Sequence, residues 1–175
     1  MALRRHTHVM AGPEIRTDIV ELYIFRRPAG GGATLGLEVL QLQRAADAAL
    51  PGTWQPMMGH IDEGESASRA ALREAGEELG LSRTAIQGFW QLEEPSCFYL
   101  HAAEAIMLSP CLALQVAADW QPTLNHEHSA HRWVPRGRVD RAFLWPGQRR
   151  AIAAIQRDIL EADSPTEALL RIALD

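Results

Sequence analysis

Apolar positions along the chain fall into short alternating runs. Residues 16–27 are dominated by Ile, Val, Leu, Tyr and Phe and stop at Pro28, which predicts a strand. Gly30, Gly31 and Gly32 follow as a flexible turn. Residues 35–43 alternate, with Leu35, Leu37, Val39 and Gln41 on one face and Glu38, Leu40 and Leu42 on the other. Both faces are partly apolar, as in a strand covered on two sides. The two runs read as a hairpin. Residues 45–52 form a loop closed by a Pro51-Gly52 turn, and a short extended segment, 54–58, leads into Gly59.

Helical spacing is clearest over residues 66–79. Ala67, Ala71, Ala75 and Leu79 recur every four positions and Gly80 supplies a C-terminal stop. Three more strands are predicted at 85–92, 105–116 and 128–134. Residues 146–161 place Ile152, Ile155, Ile159 and Leu160 on one side of an amphipathic helix. Ser164-Pro165-Thr166-Glu167 has the capping-box pattern, with proline at the first helical position. It predicts a short C-terminal helix within 164–175. No repeat or linker divides these elements, so one domain is expected over 14–163, preceded by a flexible arm at 1–13.

Composition narrows the chemistry. The chain has 175 residues, 47% hydrophobic and 22% charged, with a net charge of −5. One domain of this size buries an adequate core. The acidic balance argues against a nucleic acid polymer as partner. A small anionic ligand remains open, because a bound cation inverts the local field. Cys97 and Cys111 form no CxxC pair and read as two buried thiols in a reducing compartment. No apolar run approaches the ~18 residues of a membrane helix, and residues 1–13 lack the apolar stretch of a signal peptide. A cytoplasmic location is expected.

The predicted 66–79 helix carries Arg73, Glu74, Glu77 and Glu78. Carboxylates three and four residues apart share a helix face and repel. A hard cation with oxygen preference relieves that repulsion, and Mg²⁺ is commonly shared with substrate phosphates. An acidic helix face alone is more often merely solvated. The surrounding residues change that balance. Gly59, five residues, Glu65, seven residues, Arg73-Glu74, an apolar residue, any residue, Glu77-Glu78, any residue, Gly80 and an apolar residue resemble the Nudix box at every fixed letter.

This resemblance implies a fold and a site. Nudix proteins are α/β/α sandwiches with a mixed sheet, and the box is a loop, a helix and a loop. It implies that Glu74, Glu77 and Glu78 bind Mg²⁺ (or Mn²⁺). Arg73 would orient them, Glu65 would support the loop, and Met58 would lend a carbonyl to the metal. The implied activity is metal-dependent attack of water on a phosphorus of a small nucleotide-like substrate. Many members of the family dimerise, so a homodimer is possible.

Asn125-His126-Glu127-His128 and His131 suggest zinc, but the spacing fails. In a regular strand His126 and His128 point one way, and Glu127, His131 and Trp133 the other. Glu127-His128, four residues and Trp133 resemble a downstream Nudix feature, in which a glutamate six residues before a strand tryptophan reaches the metal site. Glu127 is therefore a candidate ligand or general base, the alternative being a surface acid.

Likeness extends over Leu42-Gln43-Arg44, Gly52-Thr53-Trp54-Gln55 and Leu144-Trp145-Pro146-Gly147-Gln148-Arg149. The chain resembles Nudix pyrophosphohydrolases of the dihydroneopterin triphosphate and dATP type. That implies cleavage of a nucleoside or pterin triphosphate to a monophosphate and pyrophosphate. Arg44 is the expected phosphate contact. Trp54, Phe98, Tyr99 and Trp145 are candidates to stack a base or pterin, although each taken singly also fits a core role. Trp54 and Trp145 are expected to border one pocket with Arg44. Two alternatives stand beside this reading. One is a dinucleoside polyphosphate or ADP-ribose hydrolase, for which Phe98 and Tyr99 would form a second stacking site. The other is a noncatalytic Nudix-fold binding module, which usually loses the box glutamates that this chain retains.

Overall fold

The structure is a computed structural model that describes residues 12–28 and 36–174. The glycine turn, Leu35 and most of the N-terminal arm lie outside the described residues.

A central strand organises the fold. β2 (Ile19–Arg26) is buried along almost its whole length, with Val20, Leu22 and Ile24 on one face and Tyr23 and Phe25 on the other. It pairs antiparallel with β3 (Glu38–Arg44) near the predicted turn, through Phe25 with Val39 and Arg26 with Glu38. Farther along, the two strands diverge. β5 (Met57–His60) takes the place beside β2 there, and β4 (Trp54–Gln55) pairs with the end of β3. β9 (Cys111–Val116) runs parallel to β2 on its other side. β6 (Ile86–Gln91) and β10 (His128–Pro135) complete a mixed sheet in the order β10-β3-β2-β9-β6.

Period-two burial then sorts the helices onto opposite faces. Leu40, Leu42, Leu112 and Leu114 join Val20, Leu22 and Ile24 under α1 (Ala67–Leu79), which contributes Ala70, Ala71, Ala75 and Leu79. On the reverse face, Val39, Ala113, Tyr23 and Phe25 meet α2 (Val139–Ala142), Phe143 and α3 (Pro146–Ala154). The amphipathic helix widens into π geometry over Ile155–Leu160 and keeps Ile152, Ile155 and Ile159 in the core. The fold is therefore α+β, with helices on both sides of a mixed sheet, as the resemblance implies.

Several expectations fail locally. The 105–116 run is two strands, β8 (Ala105–Ser109) and β9, divided at Pro110. Proline has no N–H to continue a ladder. β8 instead joins a separate small sheet, β1-β8-β7, with β1 (Glu14–Arg16) and β7 (Ser96–Leu100). The 16–27 run likewise breaks at Thr17-Asp18, leaving Arg16 in that small sheet. β7 carries Cys97 on the outward side, so this thiol is exposed, whereas Cys111 is buried. Burial, with Glu21 nearby, pushes the Cys111 thiol up to about 12.

The capping box does not form. α4 (Glu167–Leu170) begins two residues later than predicted. Ser164 Oγ donates to the Asp158 carbonyl, and Glu167 accepts from Trp90 Nε1 at 2.8 Å and Arg171 at 2.9 Å. Those tertiary partners outcompete a local cap in so short a helix.

α1 is bounded by clear signals. Ser66 is the N-cap and its side chain accepts from the Arg69 N–H. Gly80 takes a left-handed φ of 62° at the C-terminal end, and Leu81 donates to Ala75 at 3.1 Å. A Cβ on Gly80 would lie 3.2 Å from Thr123 Cβ. Gly80→Ala is therefore expected to cost about 1–2 kcal/mol, read as a lowered denaturation midpoint. An unchanged midpoint would contradict this account of the cap.

Candidate active site

Gly59 and Glu74 fix the docking of α1 on the sheet. A Cβ on Gly59 would fall 2.4 Å from Glu74 Cγ, so the Glu74 side chain occupies the space any larger residue would need. Glu74 Oε1 accepts from the His60 backbone N–H at 3.1 Å and from Arg73 at 2.9 Å. Arg73 also reaches the His60 carbonyl at 2.9 Å and Glu65 Oε2 at 2.9 Å. One guanidinium thus joins the loop before α1 to the helix, using its planar fork of donors. Its hydrogen bond holds the Glu65 carboxyl below the usual carboxylate range.

Glu78 faces inward. Its side chain and that of His128 are almost fully buried, with Oε2 2.7 Å from His128 Nε2. Burial pushes the Glu78 carboxyl above its ordinary range. His128 opposes that shift, while the negative charges of Glu127 and Glu74 reinforce it. Glu77, one residue earlier, points to solvent, 3.6 Å from Arg73.

Glu127 is brought to the same end of α1 by the loop before β10. That loop crosses the helix C-terminus through Thr123 N–H to Leu79 and Asn125 N–H to Glu78, both 2.9 Å. Asn125 Oδ1 accepts the Glu127 N–H at 2.9 Å in an Asx turn. Arg44 Nη1 sits 3.3 Å from Glu127 Oε2. Two residues chosen independently from the sequence are therefore partners.

A bulge between His128 and Ala130 corrects the expected strand faces. The inserted residue reverses the alternation. His128, paired with Arg44, and Trp133, paired with Leu40, both face α1, whereas simple parity separates them.

Among the described residues, no three His, Cys, Asp or Glu side chains already form a cation cage. The donor set still suits a hard cation. Glu74, Glu78 and Glu127 each have one oxygen engaged by the protein, and the other has no hydrogen-bond partner among the described residues. Their charges act on one another. Oxygen donors of this kind fit Mg²⁺ or Mn²⁺ better than zinc.

Comparison with known proteins agrees with this geometry. Residues 23–155 match the NUDIX domain. The chain belongs to the Nudix family. Bis(5'-nucleosyl)-tetraphosphatase [asymmetrical] from Mus musculus is 32% identical over 119 residues, covering 65% of this chain and 75% of that protein. The same enzyme from Sus scrofa is 29% identical over 92 residues, 46% of this chain, and the chain spans about half of it, 54%. A C. elegans Ap4A hydrolase binary complex superposes with a TM-score of 0.63 at 21% identity, covering 80% of this chain and 95% of the other. The E. coli dihydroneopterin triphosphate pyrophosphohydrolase superposes at 0.57 and 22%, covering 78% and 95%.

Within this Nudix chain the expected aromatic pocket is not assembled as predicted. Trp54 pairs with Gln43, and Arg132 lies 4.1 Å over its ring while hydrogen-bonded to Gln41. Trp54 is thus on the α3 side of the sheet, and strand alternation puts Arg44 on the α1 side. Trp145 is exposed at the start of α3, where Gly147 lies against Ser96 of β7. Phe98 and Tyr99 are exposed on opposite faces of β7, and Tyr99 donates to Glu104 at 2.8 Å. Met58 pairs with Glu21 in the β2–β5 ladder, directly before Gly59. Sequence reasoning missed the roles of Asn125 and His128. The Asn-x-Glu spacing was a usable signal for the first, and the place of His128 directly after Glu127 in the Glu-His-x-x-x-x-Trp pattern was one for the second.

Gly59→Ala is expected to displace Glu74 and lower kcat by about 10²-fold, the scale of a 1 Å misplacement in an active site. Circular dichroism should remain native. Near-normal kcat would show that Glu74 need not occupy this cradle.

Proposed function

We propose that this Nudix chain is a metal-dependent hydrolase of dinucleoside polyphosphates, in which one water cleaves a dinucleoside tetraphosphate asymmetrically into a nucleoside triphosphate and a nucleoside monophosphate. The carrying observation is the seating of the box helix: Glu74 is docked on the His60 N–H, Glu78 is buried against His128, and the loop that carries Glu127 hydrogen-bonds to the Glu78 carbonyl, with Arg44 3.3 Å from Glu127. Bound Mg²⁺ (or Mn²⁺) would supply Lewis acidity and lower the pKa of a coordinated water. Glu74 and Glu78 are the ligands best held, with Glu77 at the rim and the Met58 carbonyl beside the loop. Arg73 and Glu65 keep the loop and helix in register. Glu127, steadied by Arg44 and the Asn125 turn, is the proton acceptor for water that attacks phosphorus.

The choice of a two-ended substrate rests on the relatives. The asymmetrical tetraphosphatases favour it over the triphosphate suggested by sequence likeness. Phe98 and Tyr99, on opposite faces of β7, do not make one stacking site together, which leaves the exposed rings of Phe98 and Trp145 as the candidates to meet a base. The retained box glutamates speak against a purely binding module.

Two measurements test this. Glu78→Gln should lower kcat at least ~10²-fold, and excess chelator should abolish wild-type turnover; activity in chelator would end the metal reading. In competition at equal concentration, kcat/KM for diadenosine tetraphosphate should exceed that for dihydroneopterin triphosphate or dATP by ~10-fold or more, about 1.4 kcal/mol of transition-state binding. The reverse order would return the triphosphate reading. Preference for ADP-ribose would keep a two-ended substrate but change its class.

A further inference from the structure

A carboxylate taken out of water needs a hydrogen-bond donor of its own. Glu78 has one from across the fold. His128 heads β10, and its Nε2 lies 2.7 Å from Glu78 Oε2, with both side chains enclosed. His128 Nδ1 is buried and has no partner among the described residues. Hydrogen-bond accounting therefore assigns the proton to Nε2, where it is donated to the carboxylate. The imidazole reaches this place because the bulge after it turns His128 toward α1.

We propose that His128 is a positioning residue for the cation site: it grips Oε2 of Glu78 so that the same carboxylate presents Oε1 to the cation. This rests on reading Glu78 as a ligand. Ligating carboxylates are commonly oriented by a second hydrogen bond, and loss of that partner costs about 10–100-fold in metal affinity. A pendant Glu78 would have to be ordered anew each time the cation binds. The His60 backbone N–H and the Arg73 guanidinium already hold Glu74 Oε1 in the equivalent way.

The test is Mn²⁺ titration of the full chain by calorimetry, with kcat and KM measured in parallel. His128→Gln carries an amide nitrogen to about the place of Nε2 and should bind Mn²⁺ close to the wild-type affinity. His128→Asn is too short to reach, and His128→Phe fills the space without a donor. Both should bind about 10–100-fold more weakly, with kcat reduced and KM little changed. Should His128→Phe not fold, the Gln and Asn pair carries the comparison, since the two differ in reach and not in chemistry. Folded Asn or Phe variants with wild-type Mn²⁺ affinity, alongside a Glu78→Gln variant that loses it, would overturn the positioning role alone. A Glu78→Gln variant that binds Mn²⁺ normally would remove the ligand reading beneath it.

Discussion

Glu74 lies in the space that a side chain at position 59 would fill, and much of the site depends on that one close approach. It brings β5 and α1 together tightly enough for the His60 N–H to reach the Glu74 carboxylate. Arg73 can then bind the His60 carbonyl, Glu65 and Glu74 with a single guanidinium. A wider gap would leave each of those groups to water, and exposed ion pairs alone contribute little. Steric absence at one residue thus lets a loop, a strand and a helix act as one body.

The sheet beneath keeps this body in place. Because β2 is buried on both faces, its alternate residues anchor α1 on one side and α3 on the other. The small residues Ala70, Ala71 and Ala75 let α1 lie close to the strands. The acidic groups of α1 consequently divide by depth. Glu77 faces solvent, Glu74 meets the loop, and Glu78 turns inward to His128. One short acidic run yields three environments, because each position meets a different neighbour.

Negative charge at the site is contained from two directions. Arg73 neutralises it at the loop, and Arg44 does so beside Glu127. Glu78 meets the His128 imidazole rather than an arginine, and feels the charge of both Glu74 and Glu127. That residual repulsion is the physical reason a hard cation suits the site. The aromatic residues are arranged differently. Trp54 is already covered by Arg132, while Trp145, Phe98 and Tyr99 are exposed.

The amino-acid sequence by itself determined the family, the α1 helix with its Ser66 and Gly80 boundaries, and the central strands. Those features depend on local spacing: apolar period, cap residues, and box letters at set intervals. It also marked Arg44 and Glu127 separately as candidates. Only the tertiary structure decided that they are partners, that Trp54 and Arg44 lie on opposite faces, and that His128 meets Glu78 fifty positions away in the chain. The reason is that face and register depend on single residues whose effect is not periodic. Pro110 divides one apolar run between two sheets, and one inserted residue at the β10 bulge puts His128 on the same face as Trp133.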